Sequence, residues 1–373
     1  MRCILRGEAV ITKIDFYKTC EYIKCMSDKG AKRTLTYAAS GVDINAGNEA
    51  VERIKKLARQ TFNRQVLTEI GSFGGFFKPD LTGVDNPVLI CSTDSVGTKL
   101  KLAFMTNKHN TVGEDLVNHC INDILVHGAR PLFFLDYIGA NKVDPDVIAE
   151  VVSGVSRACK NAGVALIGGE TAELPDFYRP GEYDLVGFIV GIADEGKIID
   201  GTTIRKGDVC IGLPSTGLHT NGYTLARKVV FEIAGLKPGD RIPELKATID
   251  ETLMRIHRCY TSIVFPLMEK YEVRGMAHIT GGGIPGNLKR TLPENLDAEI
   301  FKGSWPVPPI FDYLKKVGNL DLKDMYSTFN MGIGFILIVQ EQDADRVISD
   351  LNKTGETASR IGIIKVGEGA VEL

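Results

Sequence analysis

The sequence predicts an α+β protein made of two mixed α/β domains. At 373 residues the chain is longer than one hydrophobic core usually organises, and apolar residues supply 44% of it. Strand and helix patterns alternate from about residue 86, without the regular spacing of a doubly wound sheet. We place a domain boundary near residue 198, which gives an N-terminal extension (1–33), an N-terminal domain (34–198) and a C-terminal domain (199–373).

Apolar runs and helix-start signals predict the elements of each domain. In the N-terminal domain, a Thr111–Glu114 capping box opens the first predicted helix. The predicted strands there are 87–94, 131–135, 164–167 and 185–192, and the helices are 111–127 and 144–160. In the C-terminal domain a strand starts at 208, and helices are predicted at 223–234, at 249–271 and just after residue 283.

Composition and charge exclude several classes of protein. A formal net charge of −3 gives no basic surface for nucleic acid, and no apolar run is long enough to span a membrane. The eight cysteines form no Cys-x-x-Cys zinc motif, and several lie in apolar runs where free thiols act as small hydrophobic groups. Residues 1–30 lack the apolar region of an export signal. We therefore expect a cytoplasmic protein that acts on small molecules.

An acidic, glycine-bearing turn follows the strand at 87–94. Asp94, Gly97, Thr98 and Lys99 lie together there, but their spacing is not that of a Walker phosphate loop. An aspartate at the end of a strand beside a lysine suits a hard divalent cation and nucleotide phosphates. Taken alone, the segment fits an exposed structural turn equally well.

The helix at 111–127 carries further polar residues. Asp115 and Asn122 share one face, whereas Asp123 lies about 80° around the helix. A solvated polar face accounts for Asp115 and His119. Asp123 lies among apolar neighbours, where an unpartnered carboxylate is costly, and we interpret it as a metal ligand.

Glycine-rich loops at strand ends are the other candidate binding sites. Gly168, Gly169 and Glu170 follow an apolar strand, and Asp43 lies in a separate flexible turn. In the C-terminal domain two loops combine a histidine with groups that suit a ribose phosphate or an oxyanion. Those loops contain Ser215, Thr216, His219 and Asn221, and then His278, Gly281, Gly282 and Gly283.

Taken in order, these motifs resemble the phosphoribosylformylglycinamidine cyclo-ligase family, also called aminoimidazole ribonucleotide synthetases. The resemblance covers about residues 34–370, and as an ordered set it is highly specific. The family usually has Gly at the position of Ser95 and Pro at that of Leu218. The motifs are 37–47, 93–99, 113–123, 128–137, 168–175, 219–223, 278–283 and 329–334.

The resemblance implies a fold of the ATP-binding superfamily that includes thiamine-phosphate kinase and selenophosphate synthetase. It implies a homodimer joined through its N-terminal domains, with ATP near the interface and Mg²⁺ on Asp94, Asp123 and Glu170. The residues expected to bind the nucleotide are Asp43, Asp94, Gly97, Thr98, Lys99, Asn122, Asp123, Gly168, Gly169 and Glu170. Those expected to bind the substrate are Ser215, Thr216, Asn221, Gly281, Gly282 and Gly283.

The implied reaction closes the aminoimidazole ring of formylglycinamidine ribonucleotide at the expense of ATP. Phosphorylation of the formyl oxygen activates a poor electrophile, and an amidine nitrogen then displaces phosphate. Lys99 is expected to offset the charge of the transferred phosphoryl group. His219 or His278 is expected to take the proton released on ring closure.

Two other functions fit the same superfamily less well. A selenophosphate synthetase requires a reactive cysteine in a glycine-rich loop, and the loop at 71–77 has none. A non-catalytic maturation factor of the hydrogenase type carries a C-terminal cysteine, and this sequence ends in Leu373. Thiamine-phosphate kinase activity is a further alternative that the motifs leave open.

Overall fold

The computed structural model describes residues 41–373, so the predicted extension at 1–33 lies outside the described residues. The main strands are β1 Pro87–Ser95, β2 Arg130–Ala140, β3 Ala165–Glu173, β4 Tyr183–Asp194, β5 Val209–Pro214, β6 Arg241–Ile242, β7 Ala247–Thr248, β8 Val273–His278, β9 Leu296–Ile300, β10 Ile333–Val339, β11 Ser359–Val366 and β12 Val371–Glu372. The α-helices are α1 Ile44–Arg59, α2 Leu100–Thr106, α3 Val112–Leu125, α4 Pro145–Ala162, α5 Tyr223–Arg227, α6 Ile249–Leu253, α7 Thr261–Met268, α8 Gly283–Leu288, α9 Pro309–Gly318, α10 Leu322–Thr328 and α11 Glu341–Lys353.

Two large sheets of mixed direction organise most of these elements, and β6 and β7 form a separate two-stranded antiparallel sheet. The first has four strands in the order β1-β4-β2-β3, of which only β2 and β3 pair in parallel. The second has six strands in the order β12-β9-β11-β5-β10-β8, with a single parallel pair at β12 and β9. This topology confirms the predicted α+β class. The boundary near residue 198, between the strands of the two sheets, stays a prediction.

Helices α3 and α4 cover one face of the four-stranded sheet and cross each other closely. A Cβ at Gly113 would lie 2.1 Å from the carbonyl oxygen of Val151, and one at Gly154 would lie 2.3 Å from that of Asn110. Only glycine permits this approach. Asp144 caps α4 by accepting from two backbone N–H groups, as Asn and Asp do at helix starts.

The predicted capping box of α3 is wrong. Thr111 makes no side-chain cap hydrogen bond, and its hydroxyl is buried without a partner. Glu114 instead pairs with Arg157 on α4, at 2.6 Å. The tertiary contact between the two helices therefore takes the carboxylate that local capping would have used.

The predicted long helix at 249–271 is also wrong, because it is interrupted between α6 and α7. Side chains of α3 bind the backbone of the interrupting segment: His257 N donates to Asp115 at 2.7 Å, and Tyr260 N donates to Asn122 at 3.1 Å. Asn118 and Asn122 donate in return to the carbonyls of His257 and Arg258, each at 2.7 Å. These bonds replace the helical ones, so the segment 255–260 can leave the helix without losing its backbone partners.

Lys99 and Asp115 form an ion pair beside this segment, and both side chains are 0% exposed. The ammonium nitrogen also donates to the carbonyls of His219 at 3.1 Å and Arg255 at 2.7 Å. A buried charge pair adds stability only when its other hydrogen-bonding groups are satisfied, and here the three protons of the ammonium group have three partners. The pair thus links α2 and α3 to the C-terminal half of the chain.

Replacing Lys99 by Met should lower the free energy of unfolding by about 3–5 kcal/mol, because Asp115 would remain buried without its cation. Chemical denaturation of both proteins measures this. Lys108→Met is the matched control, since Lys108 is 56% exposed in its pair with Asp250. That variant should lose no more than about 1 kcal/mol. Equal losses in the two variants would contradict the assigned role of the buried pair.

Candidate functional site

Four histidines meet where α3 faces the C-terminal half; we call them the histidine cluster. His119 comes from α3, His219 from the loop after β5, His257 from the 255–260 segment and His278 from the end of β8. The ring centroids of His219 and His257 lie 4.0 Å apart, and those of His119 and His257 lie 5.1 Å apart, both nearly parallel. Each of the four residues is at most 6% exposed.

Side-chain contacts connect the cluster to an aspartate at each end. Asp94 Oδ2 lies 2.9 Å from His119 Nε2, and Thr220 Oγ1 lies between Nδ1 of His119 at 2.8 Å and Nδ1 of His257 at 3.2 Å. His257 Nε2 lies 2.9 Å from His278 Nε2, and His278 Nδ1 lies 2.8 Å from Asp123 Oδ1. The two aspartates predicted to hold Mg²⁺ are therefore the ends of one continuous chain of polar groups.

The electrostatics keep these two aspartates charged. Burial acts to raise the pKa of Asp94, but His119 and the backbone N–H of Ser95 outweigh it, so the pKa lies below its ordinary value. Burial likewise acts to raise the pKa of Asp123, and His278, His119 and Ser92 reverse that effect. Both side chains remain partly exposed, so both carboxylates are accessible to a ligand.

The histidines divide into two electrostatic types. Burial, reinforced by neighbouring positive groups, holds the pKa of His219 and that of His257 well below the ordinary value, so both rings are neutral at neutral pH. Burial also lowers the pKa of His278, although Asp123 opposes this. For His119 burial acts in the same direction, but Asp94 and the other nearby carboxylates raise its pKa overall.

A cavity of about 320 Å³ opens beside the Asp123 end of the cluster. Its walls include Ser92 from β1, Asp123 from α3, His278 from β8 and Arg290. Thr280 and Asn287, from the glycine-rich loop and the helix α8 that follows it, also line it. The cavity thus combines the guanidinium of Arg290 and several hydroxyl and amide groups with the carboxylates of Asp123 and Asp200.

The glycines that precede α8 are required by local geometry. Gly282 and Gly283 have φ angles of +96° and +60°. A Cβ at Gly283 would lie only 1.8 Å from the carbonyl oxygen of Tyr326. The short helix predicted to open at these glycines is confirmed: Gly281 and Gly282 lie in the turn that follows His278, and Gly283 is the first residue of α8.

A second cavity, of about 380 Å³, lies at the other edge of the four-stranded sheet. Asp43, Gly168, Gly169 and Glu170 line it, which brings together four of the residues expected to bind the nucleotide. Asp136 lies there too, and burial raises its pKa to about 7. Asp43 also caps α1 by accepting from the N–H groups of residues 45 and 46.

Glu170 and Asp94 lie too far apart within one chain to bind the same metal ion, so the predicted set of three ligands stays a prediction. The pairing register sets Asp94, Gly187, Asp136 and Gly169 in one row across the sheet. β1 and β3 are its two edge strands, so about 14 Å separates the ends of that row. Glu170 is the next residue along β3 and points to the opposite face.

Lys99 and Asn122, which were also predicted to contact the nucleotide, make their hydrogen bonds to other parts of the protein in this structure. The three partners of the Lys99 ammonium leave it no proton for a phosphoryl group. Asn122 is 0% exposed, and its amide binds the 255–260 segment.

The solvated polar face expected for Asp115 and His119 is wrong for the same reason: this face of α3 is buried against the C-terminal half. Gly97 and Thr98 lie nearby, with Thr98 Oγ1 2.9 Å from Thr224 Oγ1.

The predicted substrate loop after β5 is held by contacts within itself, with the 255–260 segment and with Asn330. Ser215 donates to Gly217 O at 2.9 Å, and Thr216 Oγ1 donates to Ile256 O at 2.5 Å. His219 Nε2 accepts from Thr216 N at 3.2 Å. Asn221 donates weakly to Thr220, at 3.4 Å.

Sequence reasoning missed His257. It lies inside the stretch predicted as the long helix 249–271, and nothing local to it signals a functional position. A usable signal existed on α3, where His119 and Asp123 are four residues apart and therefore share a helix face. Interpreting that pair as ligands would have required a third residue from elsewhere in the chain.

Two family models match the chain. The model described as AIR synthase related protein, N-terminal domain, matches residues 81–193, and the C-terminal domain model of the same description matches residues 205–372. The chain belongs to the AIR synthase related family. The predicted resemblance is thereby confirmed.

Close relatives carry one functional name. The chain is 49% identical over 335 residues to the phosphoribosylformylglycinamidine cyclo-ligase of Trichlorobacter lovleyi, covering 90% of this chain and 96% of the relative. It is 52% identical over 332 residues to the cyclo-ligase of Nitratidesulfovibrio vulgaris, covering 89% and 95%. The enzyme of Brevibacillus brevis is 48% identical over 335 residues, covering 90% and 97%.

Solved structures share the fold at low sequence identity. Thiamine-monophosphate kinase from Stenotrophomonas maltophilia matches with a TM-score of 0.65 and 15% identity, covering 87% of this chain and 95% of the kinase. Hydrogenase maturation protein HypE in complex with ATP matches with a TM-score of 0.58 and 20% identity, covering 84% and 88%. This member of the AIR synthase related family therefore shares its fold with those two proteins.

We expect the stability of the protein to fall between pH 7.5 and pH 5.5. His219 and His257 have depressed pKa values when folded, so below about pH 6.5 the unfolded chain binds protons that the native state does not. Each such group can remove up to about 1.4 kcal/mol per pH unit, while the raised pKa of His119 opposes the trend. Urea unfolding at several pH values measures the slope. His257→Gln should flatten it, and a variant with the slope of the parent protein would refute this interpretation.

Proposed function

We propose that this protein is a phosphoribosylformylglycinamidine cyclo-ligase, which converts formylglycinamidine ribonucleotide and ATP into 5-aminoimidazole ribonucleotide, ADP and phosphate in purine biosynthesis. The observation that carries the proposal is identity of 48–52% to cyclo-ligases over about 90% of the chain. The maturation factor and the thiamine-monophosphate kinase match only in fold, at 20% identity or less. The cyclo-ligase activity is therefore preferred to theirs.

The residues around the 320 Å³ cavity suit the second half of this reaction. Ring closure requires a group that takes a proton from the attacking nitrogen and a pocket that holds a phosphorylated intermediate. His278 and Asp123 lie on the cavity wall as a 2.8 Å pair, with Arg290 on the same wall. His219 is 1% exposed, and its Nε2 accepts from Thr216 N. Of the two predicted proton acceptors, we therefore favour His278.

ATP and Mg²⁺ are the proposed cofactors. Mg²⁺ prefers carboxylate, water and phosphate oxygens, and Asp94 and Asp123 supply accessible ionised carboxylates. These two residues would hold an ion that neutralises charge on the transferred phosphoryl group. The nucleotide-bound HypE structure supports a nucleotide site in this fold.

We also propose a homodimer formed through the open face of the four-stranded sheet. Leu89 and Phe188 lie on the face opposite α3 and are 61% and 48% exposed, and Phe76 nearby is 62% exposed. Exposed apolar side chains grouped on one sheet face are typical of a subunit interface. Glu170 points to the same face, so a second chain could bring it close to a nucleotide bound by the first.

A cytoplasmic location completes the proposal. The described cysteines are all unpaired, and Cys120, Cys159 and Cys210 are buried in the core. Free buried thiols are typical of a reducing compartment. No helix within residues 41–373 is long and apolar enough to cross a membrane.

Incubation with Mg-ATP and formylglycinamidine ribonucleotide should yield 5-aminoimidazole ribonucleotide and ADP in equal amounts. Asp94→Asn should lower kcat by about 100-fold or more, because it removes charge stabilisation at the phosphoryl group. Asp146→Asn is the control, since Asp146 is 85% exposed on α4, where it pairs with Arg53. The proposal fails if the folded protein makes neither product. Equal activity of the two variants would reject the role of Asp94.

His278→Gln should lower kcat by at least about 100-fold if His278 accepts the proton, since general base catalysis contributes that much. The pH profile of the remaining activity should lose its acidic limb. His219→Gln should retain that limb, whatever its effect on stability. An unchanged pH profile in His278→Gln would remove this residue from the proton-transfer step.

A further inference from the structure

The hydrogen-bond roles within the histidine cluster can be assigned from backbone groups. Asn122 Oδ1 accepts from Tyr260 N, and its Nδ2 donates to Arg258 O at 2.7 Å, which fixes the orientation of the amide. The same Nδ2 lies 3.2 Å from His257 Nε2. His257 Nε2 must therefore be an acceptor. A neutral His257 carries its hydrogen on Nδ1, which faces Thr220.

This assignment determines the state of His278. Its Nε2 lies 2.9 Å from the acceptor Nε2 of His257, and a hydrogen on His278 Nε2 lets it share that lone pair with the Asn122 amide. In a neutral His278 the Nδ1 atom then has a lone pair, and that lone pair faces Asp123 Oδ1 at 2.8 Å. Two lone pairs in contact repel each other. A cation between them, either a second proton on the ring or a metal ion, removes the repulsion.

A third ligand atom at the same point favours the metal ion. His119 Nε2 is buried and makes no hydrogen bond of acceptable geometry, although Asp94 Oδ2 is 2.9 Å away. Ligand atoms of His119, Asp123 and His278 all lie within 4.8 Å of one another. An ion placed among them would bind His119 Nε2 on the side where the carboxylate of Asp94 already lies 2.9 Å away.

We propose that His119, Asp123 and His278 form a binding site for a divalent transition-metal ion of the zinc type, with Asp94 positioned to supply a fourth ligand. Two imidazole nitrogens and one or two carboxylates match the preferences of Zn²⁺, Co²⁺ and Mn²⁺. Mg²⁺ prefers oxygen ligands and binds imidazole poorly. The site therefore differs in chemistry from the Mg²⁺ site proposed above, although the two share Asp94 and Asp123.

The surroundings of the three ligands are those of a prepared metal site. Ligating histidines usually have their second ring nitrogen held by another polar group, which fixes the ring orientation. Thr220 Oγ1 holds Nδ1 of His119 at 2.8 Å, and His257 holds Nε2 of His278 at 2.9 Å. Thr220 and His257 are thus positioning residues in this proposal.

Titration of the chelator-treated full-length protein with Co²⁺, without nucleotide or substrate, tests the proposal. One Co²⁺ should bind per chain, with a visible absorption band stronger than that of the hydrated ion. Zn²⁺ should displace it, and Mg²⁺ at the same concentration should not. His119→Gln and His278→Gln should each abolish the band, whereas Thr220→Val should weaken binding by about 10-fold or more.

His109→Gln is the matched control, because His109 is 4% exposed but contacts Tyr183 and Asn107 outside the cluster. It should bind Co²⁺ as the parent protein does. Proton NMR of the Co²⁺ form of the parent protein gives a test that needs no variant: two exchangeable, strongly shifted imidazole N–H signals should appear, one for each ligating histidine.

A cobalt spectrum identical to that of the hydrated ion, fewer than two shifted N–H signals, or full binding by His278→Gln would overturn the proposal. These readouts do not depend on catalysis. A protein that binds Co²⁺ but forms no aminoimidazole product would refute only the proposed function. A protein that forms the product but fails to bind Co²⁺ would refute only the metal site.

Discussion

The arrangement of the site depends on one interaction, the binding of the 255–260 segment by the polar face of α3. Asp115 and Asn122 are both 0% exposed and satisfy the backbone of this segment, and Lys99 neutralises Asp115. Each of these three side chains has a charged or hydrogen-bonding partner, so the cost of removing it from water is offset. The interaction holds a non-helical segment in place and sets His257 between His119 and His278. Without it, the histidine cluster would not have its present form.

The cluster combines neutral rings with charged ends. His219 and His257 stay neutral because they are deeply buried, whereas Asp94 and Asp123 stay ionised because histidines and hydrogen-bond donors surround them. A neutral imidazole can accept a proton or bind a metal ion, and an ionised carboxylate can hold a cation. The proposed proton transfer and the proposed metal binding both use Nδ1 of His278, because its Nε2 donates to His257. His278 can therefore accept the proton only when no transition-metal ion is bound. A bound transition-metal ion would occupy the two carboxylates that are proposed to hold Mg²⁺, so the two ions would compete for them.

The two cavities lie at opposite edges of one sheet, and this separation bears on assembly. Asp94 and Glu170 belong to different edge strands and different faces, so one chain cannot place both on the same ion. The exposed apolar side chains Leu89 and Phe188 lie on the face to which Glu170 points. A second chain covering that face would remove apolar surface from water and could complete a nucleotide site from two subunits. Stability and catalysis would then favour the same dimer.

The sequence by itself determined the α+β class, most of the strands, the order of the motifs and the family. Apolar periodicity and glycine positions are local properties, and the structure places strands where those patterns predict them. The sequence also singled out Asp94, Asp123 and His278 as candidates, because each stands at the end of a strand or among apolar neighbours, and the structure brings these three side chains to one cluster. Only the tertiary structure decided that Lys99, Asp115 and Asn122 are buried, that Glu170 lies across the sheet from Asp94, and that His257 joins the cluster. The physical reason is that burial and hydrogen-bond partners come from residues more than 100 positions away, as between Asn122 and Tyr260, and no local pattern records which side chain will satisfy which backbone.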